Sequence, residues 1–262
     1  MQHIVQYSGG VGSWAAAWRV VERYGAEQTV LLFCDTLIED YDLYRFLEEG
    51  AQLLGVPVTR IADGRTPWEL FHAKRFLSNA RVDHCSGILK RDLARKWIRE
   101  HYSPQDCYLY VGIDACQRDK IRFPAIQAAW APWHIEAPLL WAPPLDKDLA
   151  KGLALRQGLR LPRLYAMGFA HNNCGGFCVK AGQAQFKRLY EQLPDVYAHH
   201  EAQEEALRAA LGKDVAILRD RRQGKTSPLT LRNLRAQIHT QQEQEAQEQE
   251  AEEDSCQCFF SF

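Results

Sequence analysis

Six residues near the N-terminus, Ser8-Gly9-Gly10-Val11-Gly12-Ser13, have the chemistry of a phosphate site. They follow a β-type run, His3-Ile4-Val5, and precede apolar residues at helical spacing. In such a strand–turn–helix unit, glycines let backbone N–H groups close around phosphate. Serines add hydroxyls, and the helix N-terminus adds its dipole. Two spacings compete. From Gly10, the residues Gly10, Gly12 and Ala15 approximate G-x-G-x-x-A, and Asp35 ends a later apolar run where a dinucleotide's ribose would be held. From Ser8, the loop reads S-G-G-x-G-S, a serine-flanked phosphate cradle. A P-loop is excluded, because no Gly-Lys-Ser/Thr follows the glycines.

The eight cysteines carry the second chemical signal. Cys174-Gly-Gly-Phe-Cys178 opens a helix-like stretch, where two thiolates four residues apart can face one metal and the helix start favours the thiolate. Cys256-Gln257-Cys258 stands in a polar tail closed by Phe259-Phe260-Ser261-Phe262, an aromatic end suited to docking back onto the body. Cys34, Cys107 and Cys116 lie in or beside apolar runs and read as small hydrophobes. Cys85 precedes a helical pattern, SGILKRDLARKW.

The elements that must position these groups alternate along the first half. Strands are expected over 3–7, 29–35, 56–62 and 107–113, with helical patterns between them. This alternation predicts an α/β fold, a Rossmann-like parallel sheet with helices on both faces. Ligands on such sheets bind outside the carboxyl ends of the strands. That rule gathers Ser8–Ser13, Asp35–Asp40, Asp63–Thr66 and Gly112–Asp114. The Asp63–Trp68 turn is read first as a helix cap. From Trp130 the chain becomes proline-rich and loop-like, then largely helical with a break at Leu193-Pro194 and a last helix from about Leu229. Three parts are expected: 1–140 a nucleotide-binding α/β domain, 141–240 a helical cysteine-containing C-terminal part, and 241–262 an acidic Gln/Glu tail ending in Cys-x-Cys. No internal repeat is present.

At 262 residues, 46% hydrophobic and 25% charged, the chain has ordinary globular composition. Residues 241–254 hold seven acidic side chains, and nothing basic lies beyond 240, so the rest of the chain is mildly basic and suited to anionic ligands. No apolar run is long enough to span a bilayer and the N-terminus has no signal architecture, so a cytoplasmic location without membrane contact is expected.

Several segments in one order carry a resemblance over about residues 1–180. Ser8–Ser13 resembles S-G-G-x-D-S, the PP-loop of the adenine nucleotide α-hydrolase superfamily, with Gly12 in place of the motif's aspartate. Cys34-Asp35-Thr36 with Glu39-Asp40 resembles the F-x-D-T-G segment of its phosphoadenosine phosphosulfate (PAPS) reductase branch. Pro138-Leu139-Leu140, Leu145–Leu149, Leu161-Pro162-Arg163-Leu164-Tyr165 and Gly168-Phe169 then resemble that branch's region before its cysteine pair. The whole is similar to PAPS-reductase-like proteins carried by phages, plasmids and some type IV CRISPR loci.

The resemblance implies ATP, with Mg2+, cleaved at the α-phosphate to AMP and pyrophosphate so as to adenylylate an acceptor, in sulfur transfer or nucleic-acid modification. The acceptor would be a nucleic acid or a small molecule, and further partners a sulfur donor or a mobile-element or CRISPR component. Nucleotide contacts are expected from Ser8, Gly9, Gly10, Gly12, Ser13, Asp35, Thr36, Gly112 and Asp114. Catalytic roles fall to Asp35 and Cys258. A [4Fe–4S] cluster would be held by Cys85, Cys174, Cys178 and Cys258 (or Cys256), with a structural Zn2+ as the alternative. Two other functions stay open: sulfonucleotide reduction with a C-terminal cysteine nucleophile, and a non-catalytic nucleotide- or cluster-binding subunit.

Overall fold

A computed structural model describes residues 1–222 and 225–257, apart from the side chains of Arg118, Ala246 and residues 248–257. The chain divides into two compact units, Met1–Ala73 with Asp83–Cys178, and Lys74–Val82 with Val179–Phe262. The first is α/β. Its elements run β1 (Gln2–Gln6), α1 (Val11–Tyr24), β2 (Thr29–Asp35), α2 (Tyr41–Leu54), β3 (Val58–Ala62) and α3 (Pro67–Lys74). A π-helical segment, Cys85–Asp92, then leads into α4 (Leu93–His101), followed by β4 (Cys107–Tyr110), α5 (Gln117–Trp130), β5 (Ile135–Glu136), α6 (Lys147–Arg156) and α7 (Arg163–Ala166).

The five strands pair in parallel in the order β3-β2-β1-β4-β5. Alternate residues serve opposite faces. Val5, Leu31, Phe33 and Tyr110 pack with buried residues of α1, α2 and α6, whereas Ile4, Leu32 and Leu109 pack with those of α4 and α5. Burial on both faces is why TVLLFCD is apolar throughout rather than alternating. The order reverses between β1 and β4, so the loops leaving these two strands flank the crevice where such sheets bind ligands. Thr66 caps α3 as expected: its hydroxyl accepts from Glu69 N–H at 3.3 Å, and Glu69 accepts from Thr66 N–H at 2.7 Å. The short edge strand β5, amid prolines, is an addition to the four strands expected.

The second unit contains α8 (Gln183–Gln192), α9 (Pro194–Leu211), a hairpin of β6 (Leu218–Asp220) and β7 (Ser227–Leu229), and α10 (Leu231–Gln257). Pro194 starts α9 at a position that needs no N–H donor, which explains the break. The hairpin is an addition to the largely helical part expected here. Glu204, fully buried on α9, accepts from Ile217 N–H at 2.9 Å and Leu231 N–H at 2.6 Å, tying the hairpin's approach and α10 to one helix. No helix among the described residues is long and apolar enough to cross a membrane.

His200, 3% exposed on α9, has its pKa pushed down to about 3 by burial and then by His199. The unfolded chain therefore takes up this proton first, and the stability present above pH ~6.5 is lost as pH falls toward the folded value. Urea unfolding at pH 7 and pH 4.5 should differ by about 2 kcal/mol from this group, and His200→Leu should remove that difference.

Candidate functional site

The loop leaving β1 is built from within. Gly9 has φ +75°, and a Cβ there would stand 2.6 Å from Leu43 Cγ, so both conformation and space require glycine. Gly10 caps α1 without a side chain. The two serines do different things. Ser13, 5% exposed, accepts from Ser8 N–H at 3.1 Å and from the Ser8 hydroxyl at 3.3 Å, and donates to Gly10 O at 2.8 Å. It braces the turn. Ser8 is exposed, and its hydroxyl can turn to a ligand. The first turn of α1 offers N–H groups that have no partner within the helix.

Other segments close around this N-terminus. Gly112, after β4, approaches so near that a Cβ would lie 2.9 Å from Gly12 C and Ser13 N. Tyr165 OH accepts from Val11 N–H at 3.2 Å. Tyr165 is held there because Arg163, two residues before it, grips Asp40 at the start of α2 with contacts of 2.7–3.1 Å. Asn172, 1% exposed, donates its amide to Gly9 O at 2.9 Å, while its Oδ1 has no partner. The ordered motif segments are thus physically joined: Asp40 positions Arg163, Arg163 positions Tyr165, and Tyr165 meets the loop.

Asp35 is deeply buried and its carboxylate is engaged: it accepts from Leu37 N–H at 2.8 Å and Tyr44 OH at 3.0 Å, and pairs with Arg60. Thr36 donates to Glu39 at 2.8 Å. Asp114 accepts from Cys116 N–H at 2.9 Å.

Glu39 connects this edge of the sheet to the cysteines. Its side chain, 1% exposed, also meets Lys90 Nζ at 3.3 Å and accepts from Cys174 N–H. Lys90 Nζ in turn lies 4.0 Å from Cys174 Sγ. Burial opposes the Lys90 charge, but Cys174 and Glu39 more than offset it and hold the ammonium above its ordinary pKa. Burial pushes the Cys174 thiol far up against the pull of Lys90, and pushes Cys85 up to about 11, with Cys178 adding to it. Cys85, Cys174 and Cys178 therefore sense one another electrostatically within the α/β unit. Cys174 (φ +55°), Gly175 (φ +57°) and Gly176 (φ +84°) form a left-handed run that wraps the segment tightly, with Gly175 where a Cβ would lie 3.0 Å from Ile38 O. Cys258 lies outside the described residues, and so does the side chain of Cys256.

The donor sets differ in chemistry. Among the described residues, the one trio of metal-capable atoms within 4.8 Å of one another is Asp114, Cys116 and Asp119. The three cysteine sulfurs do not close to that spacing, whereas a single tetrahedral zinc needs sulfurs about 3.8 Å apart, given Zn–S bonds of about 2.3 Å. Cys85, Cys174 and Cys178 supply the soft thiol donors that either an iron–sulfur cluster or a zinc would use, and Lys90 stands 4.0 Å from one of them. Loading must displace protons from the raised Cys85 and Cys174 thiols. Magnesium fits the loop poorly: Gly12 brings no carboxylate and Asp35 is already bonded. The remaining trio mixes a thiol with two carboxylates, of which Asp119 pairs with Arg122 at 3.0 Å.

Sequence reasoning did not find Asn172, Tyr165 or Lys147 as contributors, and the Glu39–Lys90 pair was invisible to it. Tyr165 and Lys147 carried a signal, as parts of Leu161–Tyr165 and Leu145–Leu149, but no role. A groove of about 670 Å³ lies elsewhere, lined by residues including Arg95, Arg99, Trp130 and Trp133. Scanned against protein-family models and against curated proteins, the chain matches none.

Proposed function

We propose that this chain is a PAPS-reductase-like PP-loop enzyme that binds ATP at Ser8–Ser13 and transfers its adenylyl group to an acceptor, with a thiol-bound metal centre beside the nucleotide. The observation that carries this reading is the Asn172–Gly9 hydrogen bond, which joins the cysteine-bearing segment directly to the glycine loop. A phosphate loop alone serves many chemistries; a phosphate loop tied to three neighbouring cysteines favours sulfur-linked activation. In the transfer, the acceptor's nucleophile bonds to the α-phosphorus, the bond to the bridging oxygen breaks, pyrophosphate leaves and the acceptor's proton passes to solvent. Ser8 and the first N–H groups of α1 would hold the phosphates, and Ser13 and Asn172 would keep the loop in shape. Cys85, Cys174 and Cys178 would hold the cluster, which supplies an electron-transfer or sulfur-binding centre when present.

Gly12 favours a second reading, reduction of a sulfonucleotide, because a loop without its carboxylate is less suited to a magnesium–ATP pair. Product assays on anaerobically prepared full-length protein separate the two. ATP-dependent pyrophosphate release that falls at least tenfold in Ser8→Ala supports adenylyl transfer. Sulfite released from PAPS would replace it with reduction. Nucleotide binding without either product would make the chain a binding subunit.

A further inference from the structure

Lys147 opens α6 and is half-buried, yet no carboxylate lies within ion-pairing distance of it among the described residues. Its ammonium donates to Ala170 O, lies 3.5 Å from His171 Nδ1 and stands 5.6 Å from the centre of the Tyr165 ring. One turn on, Lys151 flanks the same ring at 5.6 Å but is paired with Asp148 at 3.0 Å. The Tyr165 hydroxyl accepts from the first N–H of α1, so one side chain is shared by this ammonium and the phosphate loop's helix. Burial and then Lys151 lower the Lys147 pKa, while Asp114, Asp148 and Asp119 act in the opposite direction without reaching ion-pairing distance. The ammonium has one backbone acceptor and no directly paired anion, so it keeps donors free for an anionic ligand. Asn172 Oδ1, buried and unpartnered, is an acceptor still open to a donor such as a ligand hydroxyl or a water, so the charge recognition of a phosphate here falls to the ammonium.

We infer that Lys147 is the cation that meets the ligand's phosphate at this loop, standing in for the carboxylate-bound magnesium that Gly12 cannot recruit. The inference rests on the nucleotide reading of Ser8–Ser13. It makes phosphate binding independent of divalent metal, and it assigns a charged contact to a residue outside the glycine motif. An ammonium–phosphate contact is a charge-assisted hydrogen bond, strong enough that its loss is measurable in binding.

Isothermal titration of ATP into the full-length protein, in EDTA and in excess Mg2+, tests this. Wild-type affinity should agree within about threefold between the two conditions. Lys147→Ala and Lys147→Gln should each weaken binding at least about tenfold in both conditions, while Lys151→Ala, whose charge is already paired, should stay within about threefold. Circular dichroism of each variant establishes that it is folded. Binding that falls more than tenfold in EDTA, or that survives both Lys147 substitutions, overturns the inference and leaves the phosphate loop standing. Absence of ATP binding to wild type in either condition overturns the loop reading, and this inference with it.

Discussion

Gly112→Ala should weaken ATP binding by more than tenfold and destabilise the α/β unit by about 1–3 kcal/mol, the usual cost of forcing an extra carbon into a packed site. The reason is contact with backbone. A Cβ at Gly112 would lie 2.9 Å from both Gly12 C and Ser13 N and 3.0 Å from Gly12 O, and a main chain cannot swing aside as a side-chain tip can. To relieve the clash, the loop after β4 must back away from the N-terminus of α1, widening the crevice between β1 and β4. Gly12→Ala is the matched control. There the added carbon would meet Gly112 O at 3.5 Å and Leu139 Cδ1 at 3.9 Å, which is ordinary contact. Alanine also costs less backbone entropy in a helix than glycine, so this variant should keep its stability. Thermal unfolding and ATP titration of the pair measure the difference. Equal behaviour of the two variants would mean that the β4 loop does not shape the phosphate site.

The contrast between these glycines shows what the sequence could reveal. Both are small residues beside apolar runs, and nothing in their spacing says that one abuts backbone while the other has room. The first four strands were legible because burial on two faces leaves continuous apolar runs such as TVLLFCD. The two-residue β5 and the three-residue strands of the hairpin are too short to show any period. The π-helical turn of Cys85–Asp92 was read simply as helix, since eight residues do not separate the two spacings. The loop and the cysteine pair were found as local motifs. Their supports were not: Arg163 reaches Asp40 across 123 positions and Asn172 reaches Gly9 across 163, and such pairings exist only once the chain has folded.

Glu39 and Lys90 are the clearest case of a long-range pairing that local pattern hides, and breaking it should have the largest effect on stability. Glu39→Ala leaves the partly buried Lys90 ammonium without its carboxylate and removes the acceptor for Cys174 N–H and the Thr36 hydroxyl. Removing one partner of a buried ion pair costs about 3–5 kcal/mol, more than the pair's net worth, because the stranded charge remains desolvated. Lys90→Met removes the other partner and leaves Glu39 with its two remaining donors, so it should cost less. Combining Glu39→Gln with Lys90→Met strands neither charge and should cost less than the sum of the Glu39→Gln and Lys90→Met singles, a coupling read in a double-mutant cycle of these three variants by urea unfolding. The cysteines add a second readout. Lys90 pulls the Cys174 thiol down against burial, so its removal raises a pKa already far above the ordinary thiol value. Glu39 pushes the same thiol up, so the double variant loses two opposing influences, and metal loading should fall most in Lys90→Met alone; iron and sulfide content after anaerobic reconstitution measures it. Full loading of both variants would reduce the pair to a structural brace. Loading lost in Lys90→Met but largely kept in the double variant would make Lys90 the residue that lets Cys174 give up its proton against the push of Glu39.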